Sequence, residues 1–168
     1  AEAERLRAAL APSHYQATRT FTDRLTVDLG DVTLELSHHG PGHTDNDVVV
    51  VVDDGEVVFA GDLVEQAAPP FFGDGYPLEW PAVCERLLDL IRGAVVPGHG
   101  AVVDRAFVEE QASEVAEVAY LAAERHAAGM PAADAARAGG PFGEPTLADA
   151  FGRAWEHLDR GDPAPIRP

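Results

Sequence analysis

Apolar and polar residues alternate through "TFTDRLTVDLG" (20–30) and again through "DVTLELSHHG" (31–40). Successive side chains of a strand point to opposite faces, so both segments predict half-buried strands. Gly30-Asp31 between them predicts a hairpin turn. "DVVVVVDDGEVVFAGD" (47–62) is a β-branched run at 48–52, an Asp54-Gly55 turn and a returning strand. The run is apolar on both faces, which predicts a strand covered on both sides by a second sheet or by helices.

Further along, the period changes. "WPAVCERLLDLIRG" (80–93) predicts an amphipathic helix ending at Gly93, and "AVVPGHG" (94–100) a short buried strand that runs into a turn. Residues 105–128 carry Leu, Val, Ala and Tyr at helical spacing, with Gly129 as the stop. Residues 131–140 predict a short helix with Pro131 at its start. Residues 146–161 predict a last helix with Thr146 as its N-cap. A helix is also expected over 2–10, ended by Pro12. Strands come first, then strands mixed with helices, then helices. No linker or repeat divides them, so 1–168 reads as a single domain of α/β, more narrowly α+β, class.

Composition narrows the function classes. The chain has 168 residues, 12 Lys+Arg and 29 Asp+Glu, for a formal net charge of −17. Such a chain repels phosphate backbones and anionic membranes, so no nucleic acid and no membrane is expected among its partners. No apolar run reaches the ~18 residues of a membrane span, and a cytoplasmic location is the default expectation. The lone Cys84 excludes an intrachain disulfide framework and reads as a small buried hydrophobe.

Candidate chemistry gathers where strands are predicted to end. His43 follows Gly42, Asp62 follows Gly61, and His99 follows Gly98. Glycine lets the backbone turn sharply and lets a ligand come close. Two imidazoles and a carboxylate suit Zn²⁺, and also Fe or Mn. Each residue alone has a bland reading, as a solvated His or a turn Asp. The fragments "GPGHTDND", "VVFAGDLV" and "VVPGHG", in this order, together resemble the metallo-β-lactamase superfamily.

That resemblance implies a half of the family's αββα sandwich, with one mixed sheet, flanking helices and a helical C-terminus. It implies His43 as a ligand of one metal, His99 as a ligand of a second, and Asp62 as the bridging, catalytic carboxylate. It further implies two zinc ions per complete site and hydrolysis of a small-molecule ester, thioester, lactone or amide by metal-activated water. No serine or cysteine nucleophile is needed. The family's His-x-His-x-Asp-His motif is absent from these residues, so the zinc site is incomplete in this chain alone. The expected partner is either the missing N-terminal half or a second copy as a homo-oligomer, docked on a sheet face left without its covering layer. The rival expectation is an inactive half-domain that binds metal weakly or serves as an interaction module.

Neighbouring residues have secondary roles. A strand points His38 and His39 to opposite faces, so one of the two is expected to bond a ligand or a backbone carbonyl, and Thr44 to hold the His43 turn. Asp45 and Asp47 read as turn and cap residues. Phe71, Phe72, Tyr76 and Trp80, in the Pro- and Gly-rich stretch after Asp62, either wall a substrate pocket or pack that loop onto the body. His14 reads as a solvated loop residue, and His126 and His157 as cations near helix C-termini.

Overall fold

The computed structural model describes Ala17 and residues 19–161; the helix expected over 2–10 and His14 lie outside the described residues. Five strands form one sheet in the order of the sequence: β1 (Arg24–Asp28), β2 (Thr33–Ser37), β3 (Val49–Val52), β4 (Val57–Glu65) and β5 (Ala94–His99). The first four pair antiparallel and β5 joins β4 in parallel. The first hairpin closes as its sequence predicts. Leu29 N–H bonds Val32 C=O at 2.9 Å, leaving Gly30 and Asp31 as a two-residue loop with Gly30 at φ 95°.

A parallel pair needs a crossover, and α1 (Trp80–Leu88) lies within it. Three helices follow: α2 (Arg105–Ala127), α3 (Ala132–Arg137) and α4 (Glu144–Arg160). The Asp104 carboxylate caps α2 by accepting the Phe107 N–H at 3.0 Å. Two boundaries differ from expectation. α1 stops at Leu88, short of Gly93. α4 begins at Glu144, so Gly143 and not Thr146 is its N-cap. Pro145 fits in the first turn because an N–H there has no partner within the helix.

Among the described residues, the helices cover one face of the sheet. Val49, Val51, Val58, Ala60 and Val95 are buried there, in one core with Trp80, Val83, Leu87, Val108, Val115 and Phe151. The cross-strand register places the alternate residues on the other face. It pairs Leu25 with Leu36, Val27 with Leu34, Leu36 with Val50, Leu34 with Val52, Val50 with Phe59, Val52 with Val57, and Phe59 with Val96. Partners directly opposite share a face, so all five strands present apolar side chains there. Phe59 remains 45% exposed and Val48, at the head of β3, 40%. The expectation that 48–52 is covered on both sides is therefore met on one side among the described residues.

Candidate metal centre

His43 is not at a strand end. β2 stops at Ser37, and His43 sits in the loop that leads to β3. A dense set of bonds gives this loop its shape. The Asp47 carboxylate accepts the Thr44 N–H at 3.0 Å and the Thr44 hydroxyl at 2.8 Å. Thr44 Oγ1 accepts the Asn46 N–H at 3.1 Å, and Gly42 N–H donates to Thr44 C=O at 2.9 Å. His38 Nδ1–H donates to the Asp47 carbonyl at 2.9 Å. His38 thus braces the backbone behind His43, and Thr44 ties the turn. Gly42 is required by close approach, because a Cβ there would run into Leu63. The His43 ring lies between Trp80 and Phe71, with centroids 6.0 Å and 6.4 Å away.

Asp62 also departs from the strand-end expectation. β4 continues past it to Glu65, because the register shifts at Gly61, whose φ of 58° lets the strand kink and resume. The kink lays the Asp62 carboxylate over β5. Oδ1 comes 3.4 Å from His99 Nε2, and Oδ2 comes 4.0 Å from His43 Nδ1. A Cβ on residue 98 would collide with Asp62 Oδ1, so glycine leaves the space the carboxylate fills. His99 is the last residue of β5, as expected, and its side chain is 70% exposed. Asp47 lies 3.8 Å from His43 Nδ1, an acidic flank beyond its reading as a turn residue.

The other candidates divide. His39 hydrogen-bonds Ser37 Oγ at 2.8 Å, while Arg86 donates to its carbonyl at 2.7 Å. Burial, and then the Arg86 charge, hold its imidazole below the usual range. Of the four aromatics, Phe71 is 53% exposed, but Phe72 and Trp80 are fully buried and packed together at 5.2 Å. For Phe72 and Trp80 the packing alternative therefore stands, and a pocket-lining surface does not. The Tyr76 ring stacks against His157 (5.1 Å) and lies under Arg153 (5.9 Å), while its N–H bonds the Gly42 carbonyl at 2.8 Å. His126 bonds Asp159 at 2.9 Å near the end of α2, and His157 is buried in the last turn of α4, 3.9 Å from Glu79. Cys84 is buried, and burial pushes its thiol up to about 12, which removes it as a nucleophile.

Two polar residues at the site escaped sequence reasoning. Glu65 is 7% exposed and Gln111 is 3% exposed. Gln111 Oε1 accepts the Glu65 N–H at 3.0 Å, and its Nε2 donates to Leu63 C=O at 2.9 Å. Burial holds the Glu65 carboxyl above the usual range, against the Phe71 N–H that it accepts; His43, Asp62 and His99 are its titratable neighbours. The available signal was Gln111, a polar residue in the apolar helical series Val108, Gln111, Val115, Val118, Ala122.

His43, Asp62 and His99 have the donor chemistry of a zinc or iron site, and Gly98 keeps the carboxylate between the two imidazoles. In number they fall short. Among the described residues, no group of three or more His, Cys, Asp or Glu side chains is arranged to hold an ion unaided. They fit as part of a ligand set.

Comparisons with known proteins agree with this geometry. The family described as the metallo-beta-lactamase superfamily matches residues 2–112. Two proteins named metallo-beta-lactamase type 2, from Bacillus sp. (strain 170) and Bacillus cereus, are each 33% identical over 84 residues, 47% of this chain and 33% of theirs. The chain thus spans about a third of the length of these curated relatives. A solved metallo-beta-lactamase from Pontibacter korlensis superposes with a TM-score of 0.54 at 30% identity, over 66% of this chain and 55% of that one. The family match over residues 2–112, together with the fold shared with the solved relative at 30% identity, places this chain in the metallo-beta-lactamase superfamily.

Proposed function

We propose that this chain contributes His43, Asp62 and His99 to the metal centre of a hydrolase that cleaves a small ester, thioester, lactone or amide. The observation that carries this reading is the approach of both imidazoles to one carboxylate, at 3.4 and 4.0 Å, from three separate segments. Zinc is the metal best matched to these donors, and when bound it would lower the pKa of a water toward neutrality. His43 and His99 would hold the metal, Asp62 would add charge to balance it, and Thr44, Asp47 and His38 would keep the His43 turn from moving. The relatives' names point to β-lactams as one amide worth testing.

The remaining donors must come from polypeptide beyond this set. The open apolar sheet face is where we place that polypeptide: the other half of the family fold, consistent with a chain that spans 55% of its solved relative. Without that half, the same face drives self-association. Phe59→Asp sets an anion in its middle and is expected to shift the isolated chain to monomer in light scattering at micromolar concentration. A wild-type monomer under those conditions would remove the basis for this use of the face.

The test of the main reading is to co-express this chain with a segment bearing His-x-His-x-Asp-His. Metal content and hydrolysis of chromogenic ester, thioester and β-lactam substrates are then measured. About two zinc ions per unit with turnover is the expected result. The shortage of donors among the described residues favours one other reading, an inactive interaction module. That reading predicts little or no bound metal and no turnover, with or without the added segment.

A further inference from the structure

Glu65 ends β4 with its side chain buried against the start of the loop that follows. Its Oε1 accepts one backbone N–H, that of Phe71, at 3.3 Å. The backbone around it is pinned from two sides. Gln111 binds the N–H of Glu65 and the C=O of Leu63. The next residue, Gln66, donates its N–H to His99 C=O at 3.0 Å, and its side-chain oxygen accepts the Ala101 N–H at 2.9 Å. Glu65 is also the strand partner of His99. The stretch that carries Asp62 is thereby locked to α2 on one side and to the His99 turn on the other, and Glu65 is its last residue before the loop of residues 66–79.

We propose that Glu65 is a positioning residue that anchors the 66–79 loop to the His43–Asp62–His99 centre and sets the Phe71 ring beside His43 as a wall of the substrate site. Phe71 is the half-exposed aromatic of this loop next to His43. Its ring lies over Gly73 and outside the buried core of the described residues, whereas its neighbour Phe72 is packed against Trp80 and Phe142. The bond to Glu65 fixes the Phe71 backbone, and Phe72 fixes the loop one residue on, so the Phe71 side chain has a defined base from which to face His43. This deepens the proposed hydrolase function and rests on it for the word substrate; the anchoring itself does not depend on metal.

The test is amide exchange at Phe71 in the wild type, Glu65→Ala, Glu65→Gln and Asp62→Asn. Loss of a net hydrogen bond of ~1 kcal/mol speeds exchange about five- to tenfold. Glu65→Ala is expected to show that acceleration at Phe71 while Val58 and Ala60 in β4 stay protected. Glu65→Gln, which keeps an acceptor oxygen, should restore protection, and Asp62→Asn should leave it unchanged. In the completed enzyme Glu65→Ala should raise KM more than it lowers kcat. Unchanged exchange at Phe71 in Glu65→Ala overturns the proposal. So does acceleration spread evenly over β4, which would mark Glu65 as a general stabiliser. If no substrate is turned over but the exchange pattern holds, the hydrolase reading has failed and the anchor has not.

Discussion

Phe72→Ala is expected to lower the melting temperature by roughly 10 °C. Phe72 is 1% exposed and lies 5.2 Å from Trp80 and 6.2 Å from Phe142, in the wedge that joins the loop to the helical layer. Truncating a buried Phe costs about 3–5 kcal/mol through lost burial and the cavity left behind. For a chain of this size each kcal/mol shifts the midpoint by roughly 2–4 °C. From sequence alone, lining a pocket would make Phe72→Ala change KM more than melting temperature; its burial reverses that expectation. Phe71→Ala is the comparison, since an exposed ring removed there should change stability by less than about 0.5 kcal/mol. Thermal melts of both variants decide the matter. A Phe72→Ala protein that melts within about 2 °C of the wild type but binds substrate poorly would restore the pocket role.

Asp62→Asn, made in the protein completed with its remaining donors, is expected to cut hydrolysis by about a thousandfold or more. The carboxylate stands between both imidazoles, and an amide of the same shape removes the anion while keeping the volume beside Gly98. Metal-centred charge stabilisation is worth several kcal/mol, and each 1.36 kcal/mol is a factor of ten in rate. The fold should be untouched, because Asp62 is one-third exposed and the kink at Gly61 is made by backbone. Rates with an identical melt and a reduced zinc content are the expected pair of results. Activity within tenfold of wild type would remove Asp62 from the reaction.

The strands, the hairpin turns and the long helix were legible because their periods are local. Two-residue alternation, Gly-Asp and Asp-Gly turns, and the 105–128 stripe depend on nearest neighbours alone. His43, Asp62 and His99 were legible because three glycine-preceded motifs fall in a family order. What local pattern could not show was how far elements run. "LVE" after Asp62 carries no strand period, yet β4 persists through it, with Gln111, 46 residues beyond Glu65, bonding the Glu65 N–H and the Leu63 C=O. Likewise "PPFF" gives no sign of which ring is inside; only the packing against Trp80 and Phe142 separates Phe72 from Phe71. Asp47 read as a turn residue because its role at His43 arises from the folded loop and not from its spacing.

The β1–β2 hairpin has an unusual balance. Its helix-side positions are polar, with Arg24 paired to Glu35 at 3.1 Å across the strands, and its apolar residues Leu25, Val27, Leu34 and Leu36 all turn to the open face. Among the described residues these side chains lie outside the helix-side core, and Leu36 and Leu34 meet Val50 and Val52 of β3 across the open face. A two-stranded hairpin is marginal by itself, so this one is the natural unit of local unfolding, opening at a free energy well below that of the helical layer. The loop bearing His43 hangs from its second strand. Whatever covers the open face therefore also suppresses the fluctuation that would carry His43 away from Asp62, so that order at the ligand cluster is gained at a distance, by packing on the opposite end of the same hairpin.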